Sequence, residues 1–240
     1  MNLTPATLTK SATSLKSARQ VGFWSALLTA LLSIAWTAAF AYEFSTAPSA
    51  PWTGVQDTAR SFNFLADMIN LVFALPLSWT FLIMMVSVHY FVPAEEKLWT
   101  MIGLSFAIVY AVMANTNYLI QLVTVRASLL AGETEGLGLF VIDNMHSVFW
   151  ALANSYALQS IGLFFAAWAF HGSRLAQWIR WLWIAVGLTV PIQLAFSLGL
   201  IPIAASLPAL VFWIVGVIVS AILLALQFRR AELGANSVQQ

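Results

Sequence analysis

In the stretch ANTNYLIQLVTVR, residues 114–126, two asparagines, a tyrosine, a glutamine and an arginine interrupt an otherwise apolar run. At about 100° per residue on a helix, Tyr110, Asn117, Gln121 and Thr124 share one face, with Tyr118 on its flank. Asn115 and Arg126 point together toward a second neighbour. Upstream, Asn63, Asp67, Asn70, Ala74 and Ser78 form a stripe at helical spacing, and downstream His146, Trp150 and Asn154 recur every four residues. Amides that donate and accept, one carboxylate, and the aromatic walls of Tyr118 and Trp150 make up the chemistry of a binding site for a small polar or amphipathic ligand. Asp67 is the most informative member, because an ionisable side chain within a membrane span is a functional candidate by default. Its expected partners are Arg126 or Arg60. The same residues also support a plainer reading, in which interhelical hydrogen bonds lock the register of a structural or accessory membrane subunit.

Other chemistries find little support. Cysteine is absent, which removes thiol nucleophiles, disulfides and thiolate-ligated metals. The three histidines, His89, His146 and His171, are too dispersed to share one metal, and no cofactor is expected. His89 and His171 fall at similar depth, but interfacial placement explains them better than a bis-His haem does. No Walker motif or nucleophile elbow is present, and a serine triad with His146 and Asp67 is not demanded by any spacing. An intramembrane enzyme is therefore the less favoured reading. A formal net charge of +1 with no basic stripe argues against a nucleic-acid partner. The two halves show no repeat, and Pro76 and Pro191 interrupt spans at different relative positions, which gives an alternating-access transporter little support.

The elements that must position these residues are membrane helices. Hydrophobic residues make up 61% of the 240 and charged residues 8%, with a mean hydropathy of +0.86; such a chain cannot cover a water-facing surface. Segments at about 21–43, 62–92, 98–125, 146–170, 178–201 and 206–228 are each long enough to span, given about 20 residues per crossing. The predicted fold class is an all-α integral membrane protein, a six-transmembrane-helix bundle with short loops and both termini cytoplasmic. Residues 21–229 form its single domain, 1–20 a mobile arm and 230–240 a tail. Eight of the ten basic residues fall on the side of the termini, which is the cytoplasmic side by the positive-inside rule. Trp24, Trp99, Trp168, Trp178, Trp181 and Trp183 gather at the same boundary as an expected interfacial belt. In composition the chain resembles polytopic proteins of bacterial cytoplasmic membranes, and that is its expected location. Its expected partners are the lipid bilayer and a small-molecule or lipid ligand; oligomeric state is not legible.

Connections sharpen the expected geometry. VPAEEK at 92–97 is a tight turn, so the second and third spans form a hairpin. Counting from it places Asp67 level with Gln121, Asn70 level with Asn117 and Tyr118, and Asn63 near Arg126. The loop 126–145 is too apolar for open water and reads as an interfacial segment, a lid, or an early start to span four. Asp143 and Asn144 are expected to cap that span. Small residues repeat every fourth position at Ser25, Thr29, Ser33 and Thr37, at Gly187, Pro191, Ala195 and Gly199, and at Gly216 and Ser220, as helix contacts in lipid require.

Overall fold

The computed structural model describes residues 5–46 and 52–237. The parts of the arm, the first loop and the tail at 1–4, 47–51 and 238–240 lie outside the described residues. Within them the chain is helical with no strand, and six helical segments are long and apolar enough to cross a membrane. Each span packs chiefly on its neighbours in sequence, and span six returns to pack on span one, closing a ring of six.

Side-chain size decides how closely the ring closes. In lipid, helix association depends on close packing and hydrogen bonds, since the bilayer offers no hydrophobic force between helices. On span one, the helix Pro5–Thr46, Ser25, Thr29 and Ser33 are buried. Ser25 and Thr37 return their hydroxyls to the carbonyls of Gly22 and Ser33, at 3.2 and 2.7 Å. Spans three and four cross where Gly103 meets Gly162: a Cβ on Gly103 would stand 2.6 Å from the Gly162 carbonyl oxygen. Glycine serves the same purpose at Gly187 against Phe164 and at Gly216 against Val186. Gly199 does not extend this pattern. With φ at +70° it ends the helix Val190–Ser197, and the Leu200 amide closes onto the Ala195 carbonyl.

The spans differ from uniform rods in informative places. The arm is not separate from span one, since its helix begins at Pro5. Span two, expected as one helix over 62–92, is two, Phe64–Asp67 and the membrane helix Ile69–Phe91, which runs on through Pro76; the loop before it holds a further short helix, Val55–Ser61. Span three extends past 125, through Lys97–Leu119, a π-helical turn Ile120–Val125 and Arg126–Ala131, ending at left-handed Gly132. Span four starts at Val148 rather than 146 and breaks at Asn154 into Val148–Ala153 and Ser155–Ala167. Span five breaks at Leu188 and Thr189, between Arg174–Gly187 and Val190–Ser197. Pro191 accounts for that break: its ring has no donor for the Gly187 carbonyl and collides with it. Span six is Ile203–Ser237.

Most of the tryptophan belt faces outward, with Trp24, Trp99, Trp178 and Trp181 exposed. Trp183 is an exception to the expectation. It is fully buried and meets Phe170 edge to face, so it is a core residue. The centre of the ring is filled by aromatic rings from four spans, Trp36, Tyr110, Tyr156 and Trp213, with centroids 5.0–6.3 Å apart along the chain of contacts.

Candidate functional site

The polar residues of span three address both of its ring neighbours, with the faces exchanged relative to expectation. Asn115 turns to span two, donating to the Ser78 hydroxyl at 2.9 Å and accepting from the Trp79 indole. Asn117, 2% exposed, donates to the Phe149 carbonyl of span four at 3.1 Å, and Tyr118 shares a hydroxyl contact with Tyr156. Gln121, 1% exposed, donates to the Phe140 carbonyl at 2.7 Å. Counting from a hairpin sets depth and leaves azimuth open; the ring places span three between spans two and four. Arg126 is exposed and stacks over Phe64 at 5.4 Å, so it addresses the span-two segment, as Asn115 does.

The expected stripe on span two is dispersed because its helix is interrupted. The Asn63 side chain accepts from the amides of Leu65 and Ala66 at 3.1 and 3.4 Å, and the Asp67 carboxylate accepts from the Asn63 amide at 2.7 Å. This reciprocal pair closes both ends of the short turn Phe64–Asp67 on itself. No ion pair joins Asp67 to Arg126 or Arg60 among the described residues, and Arg60 pairs with Asp57 at 3.3 Å. Burial raises the Asp67 carboxyl above the ordinary aspartate range, and the charge of Asp143 adds to this.

The loop 126–145 folds back over the end of the bundle remote from the termini. Leu137 and Val141 are buried, and the Phe140 and Ile142 carbonyls accept from Gln121 and from the Trp150 indole, the latter at 2.8 Å. Asn144 bridges the Gly138 carbonyl and the His146 amide, and Asp143 accepts from Thr58 of the first loop at 3.1 Å. Neither caps span four, whose N-cap is Ser147. His146 is exposed in a turn, away from the buried amides. Asn154 donates back to Trp150 and Ala151 of its own helix. Asn117, Gln121, Asn144, Trp150 and Asn154 thus each donate to a backbone carbonyl.

One group that sequence reasoning left out of the candidate site stands apart from this locking. Glu43, near the end of span one, is half-buried and accepts from the side-chain amide of Asn70 on span two. Asn70 is 4% exposed, and its carbonyl oxygen has no hydrogen-bond donor. Asp67 and Asp143 lie within electrostatic reach of Glu43, and among the described residues no basic side chain pairs with any of the three. The signal was present in the sequence: Trp36, Phe40 and Glu43, at i, i+4 and i+7, continue the stripe begun at Ser25, Thr29 and Ser33. Below Glu43, Phe40 stacks on Trp36 at 5.3 Å. Among the described residues no group of three acidic, histidine or cysteine side chains is arranged to hold a metal ion. The chain matches no protein-family model, no curated protein and no solved structure.

Proposed function

We propose that this protein binds a small amphipathic molecule bearing a positive charge, taken from the side of the membrane remote from its termini, at Glu43 and Asn70. The observation that carries this reading is the buried acceptor pair itself. A carboxyl group partly removed from water with no basic partner, beside an amide oxygen with no donor, is an arrangement that a protonated amine would satisfy at both atoms. The partly buried ring of Phe40 beneath would lie against the apolar part. We also infer, from the distribution of basic residues, a bacterial cytoplasmic membrane with the termini inside and this site facing out.

The test is thermal stability of the purified full chain in detergent. A series of alkylamines is compared with neutral alcohols of equal chain length, because a ligand of the folded state must raise its melting temperature. Amines should stabilise the natural sequence and lose that effect in Glu43→Gln, which retains an acceptor for Asn70. Equal response to amines and alcohols, or an undiminished response in Glu43→Gln, would remove the reading.

A second reading, a structural or accessory subunit, is favoured by a different observation: Asn117, Gln121, Asn144 and Trp150 all donate to backbone carbonyls. On that reading no ligand series alters the melting temperature, while loss of those donors does.

A further inference from the structure

At the opposite end of the bundle, a groove of about 470 Å³ opens between spans one and two on the membrane-facing surface. That volume lies within the roughly 300–1,000 Å³ of small-molecule sites. The floor includes Ser25 and Thr80, whose hydroxyls are turned back onto the carbonyls of Gly22 and Leu77, so it presents little but carbon. The walls are Val21, Trp24, Leu28 and Ile83, with Trp24 60% exposed. The groove is apolar along its length and polar only at Gln20, the end nearer the termini.

Charge distinguishes what occupies it. Lys16 precedes Gln20 by four residues, on the same ridge and one turn nearer the terminus, and is exposed. Lys97 opens span three at this same end, its ammonium 5.9 Å from the Tyr90 ring of span two, and Arg229 lies over Phe23 at 5.7 Å. The acid nearest the mouth, Glu232, is engaged by the Gln20 amide at 3.3 Å. Across this end of the bundle eight basic residues stand against the acids Glu95, Glu96 and Glu232, and Glu96 pairs with His171. Basic side chains at the mouth of an apolar groove between membrane helices are the pattern that holds an anionic headgroup.

We propose that this groove holds an acyl chain of an anionic phospholipid, with the lipid phosphate against Lys16. The site is distinct from Glu43 in ligand, charge and end of the molecule, and stands whether or not that site binds an amine.

The experiment uses the full chain, delipidated in detergent, and native mass spectrometry with phosphatidylglycerol and phosphatidylcholine of identical acyl chains. Phosphatidylglycerol should be retained severalfold over phosphatidylcholine. Lys16→Gln should bring the ratio toward one, and Thr80→Leu, which fills the floor, should reduce retention of both lipids. If Thr80→Leu does not fold, Ile83→Trp at the rim replaces it; melting in lipid-free detergent establishes that each variant is folded. Equal retention of the two lipids by the natural sequence, an unchanged ratio in Lys16→Gln, or undiminished retention in the groove-filling variant would each overturn the proposal.

Discussion

Asn117 and Asn154 look alike in sequence, two amides expected to face one pocket, yet they do different work. Asn117 joins span three to span four, whereas Asn154 bonds only its own helix. Interhelical hydrogen bonds in membranes are worth about 0.6 kcal/mol on average and up to about 1.7. Asn117→Ala should therefore destabilise the folded protein by about that much, and Asn154→Ala by distinctly less. Parallel unfolding titrations in detergent would show this, and equal losses would contradict the assignment. Asp67 offers a test by pH. Its carboxyl titrates above the ordinary aspartate range in the folded protein, chiefly through burial, so the folded state holds this proton more tightly than the unfolded chain does. Its effect on stability is therefore most favourable at low pH and is lost as pH rises from the ordinary aspartate value through the raised one. Asp67→Asn keeps an acceptor for the Asn63 amide and should lack that part of the decline; superimposable melting curves against pH would refute this. Residue types alone revealed where polar groups concentrate. They could not reveal that Asp67 turns to its own backbone while Glu43 does not, because a partner four residues away and one on another helix are both available to the same carboxylate.

At the scale of elements, the crossings are decided by backbone approach. Gly103→Ala would set a methyl carbon against the Gly162 carbonyl oxygen, a backbone atom that cannot rotate aside, and overpacking of this kind costs about 1–3 kcal/mol. The variant should melt at lower temperature than Ala111→Gly, which opens space one face away without a clash; a neutral Gly103→Ala would show that spans three and four do not meet there. The Ser25, Thr29 and Ser33 stripe was legible because its spacing and its burial coincide. The stripe through Gly187, Pro191 and Gly199 was not, because periodicity assumes an unbroken helix and Pro191 breaks this one. The π turn at Ile120–Val125 was likewise invisible: it inserts no unusual residue and is stabilised by what packs around it, including the Gln121 bond to the returning loop.

At the scale of the molecule, six apolar spans and a strong charge asymmetry lead to one directly testable expectation. Cysteines introduced singly at Asp57 and Lys97 should be labelled by an impermeant thiol reagent from opposite faces of the membrane, since the chain has none of its own. Labelling of both positions from one face would overturn the assigned topology. The number of spans, their approximate limits and the concentration of amides toward one end follow from composition and local order, because burial in lipid is a property each segment meets by itself. The closed ring, the exchange of faces on span three, the folding back of residues 137–142 onto Gln121 and Trp150 and the pairing of Glu43 with Asn70 were decided only by tertiary structure. Each depends on the rotation of one helix against another, set by glycine contacts, helix breaks and non-local hydrogen bonds that no single segment encodes.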